Sequence, residues 1–367
     1  MSAWDNLGHR ISIPRVHGGL PRAELRDLGI AADDVIDFSV SCNPYGPCAA
    51  VVDAIRAAPL DRYPDPSATA AREALAATLG TTPDRIALGN GAAELLWTLA
   101  GVLVRPGDPV VIVEPAFGEL RAAAEHAGAR VSEWRARPDD GFAVDLDAVS
   151  RTITACTANQ AHAAKLVYLC APATPTGTPV PVAAVRALAE VHAATAVVLD
   201  QSFLSLSDRF ADAGAALPDN VVCVRSLTKD HAIPGVRLGY AIGSPALIAR
   251  VEHGRSSWTT GAAAQAAAVA ACAAGKFVAD SRARLLAERA QLAALLGSLG
   301  LAPAPSSTGF LVVRAGDARG LRHRLLARHR VLVRDCASYG LPDHIRLAAR
   351  SAGDRERLAA ALRAELR

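Results

Sequence analysis

The segment Ser226-Leu-Thr-Lys229, followed closely by Ile233-Pro-Gly-Val-Arg237-Leu-Gly-Tyr240, combines residue types suited to covalent amine chemistry. A lysine just after an apolar run, flanked by hydroxyl residues, is placed to form a Schiff base with a carbonyl. Burial and cationic neighbours make its ammonium release a proton more easily. Ser226, Thr228 and Arg237 could then share one phosphate, the guanidinium supplying a fixed fork of donors and the hydroxyls completing the oxygen shell. The plainer alternative is a solvated lysine in a strand-end loop.

Three further segments carry related chemistry. Gly89-Asn-Gly91-Ala92-Ala-Glu94 reads as a turn between a strand and a helix, whose free N–H groups suit a phosphate. Asp200 closes the apolar run Ala196-Val-Val-Leu-Asp200 and needs a cationic or donor partner there. A protonated pyridine nitrogen is one such partner, and the pair makes the ring an electron sink. Phe117, in Glu114-Pro-Ala-Phe-Gly-Glu119, suits stacking on a flat ring. Taken singly, these segments also read as a glycine turn, a helix N-cap and a core phenylalanine.

Residues so far apart need a scaffold that gathers them. Short apolar runs alternate with helical patterns. Strands are expected at Ile86–Leu88, Pro109–Val113, Leu166–Cys170, Ala196–Leu199, Val221–Val224 and Leu238–Ile242, with helices such as Val182–Ala194 between them. That alternation indicates an α/β fold with a mostly parallel sheet between helices, and ligands gather at the carboxyl ends of such strands. A long Ala-rich helix is expected over Thr260–Leu299, with a break near Gly275. A small α+β unit follows: strands at Phe310–Val313, Val331–Arg334 and His344–Ala348, helices at Ala318–His329 and Asp354–Leu366. The expected division is a large domain over residues 46–255 and a small domain built from 1–45 and 256–367.

Composition narrows the classes. A net charge of +3 with scattered basic residues argues against nucleic acid. The seven cysteines form no CxxC pair, so neither a disulfide framework nor a metal site is expected. No signal-peptide segment or membrane span is evident, and the expectation is a cytoplasmic protein.

Together the four segments occur in the chain order and spacing of fold-type I pyridoxal-5′-phosphate enzymes, the aspartate aminotransferase superfamily. Further motifs narrow the resemblance: His17-Gly-Gly, Asp37-Phe-Ser, Asn43-Pro-Tyr-Gly-Pro47, Arg62-Tyr-Pro-Asp65, Arg225-Ser-Leu-Thr-Lys229, Ala232–Tyr240, Val333–Tyr339 and Ile345–Ser351. From about His17 onward the chain resembles threonine-phosphate decarboxylases, cobalamin-pathway relatives of histidinol-phosphate aminotransferases. The resemblance implies that Lys229 carries the cofactor and Asp200 pairs with its ring nitrogen. It implies that Phe117 stacks on the ring, while Gly91, Ala92, Ser226, Thr228 and Arg237 surround the phosphate. Tyr63 would help from the other subunit of a homodimer. Arg346 would grip a substrate carboxylate, and His17, Asn43 and Arg350 would line the substrate pocket.

The chain also departs from the family pattern. Asn-Pro-Asn-Asn-Pro-Thr-Gly becomes Ala171-Pro-Ala-Thr-Pro-Thr-Gly177, which puts Thr174 where an asparagine donates to the cofactor's phenolic oxygen. Asp-Glu-Ala-Phe becomes Asp200-Gln-Ser-Phe203, without the tyrosine hydroxyl common in aminotransferases. Pro-Trp-Ser-Val-Asn becomes Ser257-Trp-Thr-Thr-Gly261 and Ser-Ala-Asn-Ile-Asn becomes Ser39-Val-Ser-Cys-Asn43, so each segment has lost one asparagine of the family pattern. A kept cofactor scaffold in a changed pocket implies divergence toward specialised metabolism. The first expectation is a lyase, a decarboxylase acting on an amino acid that carries a phosphate. The alternatives are a histidinol-phosphate-type aminotransferase and an enzyme forming bonds at a β or γ carbon. A ligand sensor is disfavoured by the lack of a helix-turn-helix segment, and an inactive scaffold by the retention of Lys229, Asp200 and Arg237.

Overall fold

The computed structural model describes residues 18–157 and 163–366. In chain order the strands are β1 (Ile36–Asp37), β2 (Ile86–Asn90), β3 (Pro109–Glu114), β4 (Arg130–Arg135), β5 (Leu166–Cys170) and β6 (Ala196–Asp200). They continue as β7 (Val221–Ser226), β8 (Leu238–Ile242), β9 (Phe310–Arg314), β10 (Val331–Leu332), β11 (Arg334–Cys336) and β12 (Leu341–Ala348). The main sheet has the order β2-β8-β7-β6-β5-β3-β4. Strands β3 to β7 run parallel to one another, while β8 is antiparallel to both β2 and β7. This is the expected α/β architecture.

The central strands are apolar throughout because helices cover both faces. One face packs under the Gly91–Leu103, Glu119–His126 and Pro245–His253 helices, and the other under Leu146–Thr157 and Val182–Val191. Strand β4, Arg-Val-Ser-Glu-Trp-Arg, lies at the sheet edge, where its charged residues reach water. Its polar content conceals it in the sequence.

The expected Ala-rich helix is two helices, Ala262–Ala273 and Gly275–Ser298, meeting at 75°. The first joins Ala49–Arg56 and Thr69–Leu79 in a core with β2 and β8. The second enters the core of the small unit. The small unit holds a three-stranded antiparallel sheet, β11-β12-β9. The N-terminal segment packs on it, with β1 parallel to β10. Among the described residues no single helix is long and apolar enough to cross a membrane.

The Gly91–Leu103 helix is held by Leu95, Leu96 and Leu99, all with no exposed surface. Leu96→Ala should cost about 3 kcal/mol of stability, from lost burial plus a cavity. Urea unfolding of the two proteins measures this, and a loss under about 1 kcal/mol would mean that the helix is anchored elsewhere.

Candidate active site

Strand β7 ends at Ser226, and the chain turns through the short helix Leu227–Asp230. This turn sets Lys229 at the carboxyl edge of the sheet. The turn is braced from the small unit: the Asn43 N–H donates to the Lys229 carbonyl at 2.9 Å, and Asn43 Nδ2 donates to the Asp230 carbonyl at 2.9 Å. Asn43 Oδ1 accepts from the Tyr45 N–H at 3.0 Å. The Asn43 carboxamide, expected at the substrate, thus ties down the lysine turn. Lys229 Nζ lies 4.4 Å from the centre of the Phe203 ring. Burial pulls the Lys229 pKa below the usual lysine value, while Asp200, Cys42, Asp230 and Cys170 work against it.

Asp200 ends β6, next to β7, and is 5% exposed. Its Oδ1 accepts from the Ser202 N–H at 2.8 Å, and its Oδ2 accepts from the Tyr168 hydroxyl at 3.1 Å. The neighbouring Gln201 turns away and accepts from Arg225 Nε at 2.8 Å. A glutamine there supplies the acceptor that the buried Arg225 requires without adding a charge.

The phosphate-type groups converge where β2, β8 and β7 adjoin. Strand β8 runs antiparallel, so its start lies beside the ends of the other two, with Asn90 opposite Leu238 and Ser226 opposite Gly239. Arg237 therefore meets the start of the Gly91–Leu103 helix. Gly91 has φ +79°, and a Cβ there would collide with the Arg237 guanidinium. A Cβ on Gly239 would fall 2.7 Å from the Ala92 nitrogen. Ser226 and Thr228 share a hydrogen bond of 2.8 Å between their hydroxyls. Phe117 is half-buried against the same core. Thr174 is buried in the turn closed by Gly177 N–H to Ala173 O at 2.8 Å.

A row of side chains links the lysine to the small unit. Phe203 meets Phe310 edge-on at 4.9 Å, and the Arg346 guanidinium lies 5.2 Å from the Phe310 ring centre. Arg346 is 6% exposed and donates to the Ser39 carbonyl at 2.7 Å, while its Nε has no partner among the described residues. Directly across the β11–β12 ladder stands Arg334, 4% exposed, which donates to Ser338 Oγ at 2.7 Å. Arg334 was not singled out from sequence, although an arginine inside the run Val331-Leu-Val-Arg334 was a signal.

The sequence expects Arg350 and His17 at the substrate and Tyr63 at the cofactor phosphate. Arg350 donates to Asp354 at 3.0 Å and to the Asp37 carbonyl at 3.2 Å, so the fold engages its guanidinium. Tyr63 is 80% exposed and stacks on Trp258 at 4.8 Å. His17 lies outside the described residues.

Next to Lys229, the Asp230 carboxyl is pushed up to about 7, mainly by burial; Ser205, Lys229, Arg225 and Arg282 pull the other way. Its folded pKa exceeds the unfolded value of about 3.9, so the folded chain binds the extra proton. The associated stability is full below about pH 4 and is lost as pH rises to about 7. Asp230→Asn should therefore gain thermal stability over the parent at pH 8 and little near pH 4. Melting curves at both pH values check this; an equal difference at each would contradict it.

Residues 33–364 match the family model for aminotransferase class I and II. A histidinol-phosphate aminotransferase of Symbiobacterium thermophilum is 35% identical over 346 residues, covering 93% of this chain and 92% of its own. Among solved structures, histidinol-phosphate aminotransferase from Sinorhizobium meliloti, in complex with pyridoxal-5′-phosphate, has TM-score 0.85 at 28% identity. That match covers 97% of this chain and 95% of the other. L-threonine-O-3-phosphate decarboxylase from Porphyromonas gingivalis has TM-score 0.75 at 24% identity over 90% of this chain and 98% of its own, a likeness of fold alone. These findings favour the aminotransferase alternative over the decarboxylase that the sequence puts first. The chain belongs to the aminotransferase class I and II family.

Proposed function

We propose that this enzyme is a pyridoxal-phosphate-dependent aminotransferase of the histidinol-phosphate type, exchanging an amino group between a phosphorylated amine and a 2-oxo acid. The observation that carries the reading is the convergence, within a family match spanning 33–364, of Lys229, Asp200 and the Gly91–Arg237 cradle at one sheet edge. The residues fit the cofactor. The absence of a side chain at Gly91 lets the Arg237 guanidinium lie against a helix start suited to phosphate. Asp200 is a buried carboxylate suited to a protonated ring nitrogen.

When bound, the cofactor supplies an aldehyde that joins an amine and a ring that accepts electrons from the substrate's α carbon. The chain's own groups do the rest. Arg237, Ser226, Thr228 and the N–H groups of Gly91 and Ala92 hold the phosphate. Asp200 holds the ring-nitrogen proton. Lys229 anchors the cofactor and, once displaced by substrate, takes the proton from the α carbon; its lowered pKa keeps more of the amine neutral for that task. Arg346, with Arg334 facing it, binds the anionic end of the substrate. Thr174 offers a hydroxyl where relatives have an amide. Tyr63 and Trp258 form an exposed aromatic pair suited to burial in a homodimer. Phe203, which offers Lys229 a ring face and no hydroxyl, keeps decarboxylation as the second reading.

Mass spectrometry separates the two. With L-histidinol phosphate and 2-oxoglutarate, the loaded enzyme should form glutamate without releasing carbon dioxide. Carbon dioxide from L-threonine O-3-phosphate, with no glutamate from the first pair, would overturn the reading. Gly91→Ala should weaken cofactor binding by about tenfold or more, since a displaced Arg237 loses charge-assisted hydrogen bonds. Equilibrium dialysis measures this, and unchanged affinity would remove the cradle from the account.

A further inference from the structure

Tyr168 has no part in the chemistry above, yet it touches its central carboxylate. It lies on β5 with no exposed surface. Strand alternation puts Tyr168 and Cys170 on one face. Strand β6 runs parallel beside it, with Cys170 opposite Asp200 and Tyr168 opposite Val198. The tyrosine is long enough to reach along the strand to Asp200, and its hydroxyl donates to Oδ2 at 3.1 Å.

The hydroxyl is itself supported. Cys170 Sγ donates to Tyr168 Oη at 3.4 Å, and the backbone of Phe117 hydrogen-bonds to the Cys170 sulfur. A chain of donors thus runs from the Phe117 backbone through Cys170 and Tyr168 to Asp200. Burial raises the Tyr168 pKa well above the usual tyrosine value and pushes Cys170 up to about 12. Both keep their protons near neutral pH, so the polarity of the chain is fixed. Around it lie Ala116, Val198, Val224 and other apolar residues. A phenylalanine at 168 would fill nearly the same space but leave Asp200 Oδ2 without this donor.

We propose that Tyr168 is a positioning residue for Asp200, locking the carboxylate from behind so that it holds the protonated ring nitrogen of the cofactor. This rests on the reading that Asp200 faces that nitrogen. The Ser202 N–H occupies Oδ1 and Tyr168 occupies Oδ2, so the two bonds fix the plane of the carboxylate. Each oxygen keeps capacity for one more donor. A donor to the charged form also offsets the cost of burying it. Without Tyr168 the carboxylate is more basic and draws the ring proton toward itself. The nitrogen is then less positive, and the linkage between lysine and cofactor becomes more basic.

The test uses holoenzyme of the parent, Tyr168→Phe and Asp200→Asn. The pH dependence of the bound cofactor's visible absorbance is recorded, together with cofactor affinity. Tyr168→Phe should raise the chromophore's apparent pKa by about one unit and weaken cofactor binding about tenfold. It should lower kcat while leaving KM for the amino donor within about twofold. Asp200→Asn should shift the chromophore in the same direction and further. If Asp200→Asn shifts the chromophore and Tyr168→Phe does not, the role of Tyr168 is refuted while that of Asp200 stands. If neither shifts it, the underlying reading of Asp200 fails. A merely structural tyrosine would change melting temperature without moving the chromophore.

Discussion

Two side chains of opposite charge, the half-buried Lys229 and the buried Asp200, sit at the carboxyl ends of neighbouring strands, and much of the molecule serves to keep them there. Burial works against a charged lysine, and the carboxylate works for it. The balance leaves an amine that can change protonation state during a reaction. The apolar strands around it supply the low-dielectric surroundings that make each polar contact matter. Asp200 is fixed by a backbone N–H and a phenol. Lys229 is fixed through its backbone by Asn43, a residue from the distant N-terminal segment.

That cross-link shows how the small unit takes part. Asn43 braces the lysine turn, and Ser39, four residues earlier, accepts from Arg346. One short segment therefore connects the lysine proposed to anchor the cofactor with the guanidinium proposed for the substrate. The ring row Phe203–Phe310 fills the space between them. A change in how the small unit sits would move Arg346 and the Lys229 turn together, since both hang on residues 39–43.

The cofactor side was more legible in the sequence than the substrate side. Strands β6 and β7 are short, mostly apolar runs that end in Asp200 and Ser226, with Lys229 just beyond, so these residues stand out. Gly91 and Arg237 were visible as separate motifs; only the antiparallel turn of β8 brings them into contact. Strand β4 was hidden because an edge strand carries charge. Tyr168 was hidden because it sits inside an apolar run and reads as core; only the parallel pairing of β5 with β6 aims its hydroxyl at Asp200. The role of Gln201 depends on Arg225, a partner on the adjacent strand. The 75° bend between the Ala262–Ala273 and Gly275–Ser298 helices depends on packing, which alanine composition does not specify.

The central claim is that Lys229 holds pyridoxal phosphate covalently, and borohydride reduction tests it most directly. The loaded protein is reduced, digested and mapped by mass spectrometry. The account predicts a stable pyridoxyl-phosphate adduct on the peptide containing Lys229, absent from Lys229→Ala. An adduct on another lysine, or a cofactor that leaves the reduced protein untouched, would contradict it.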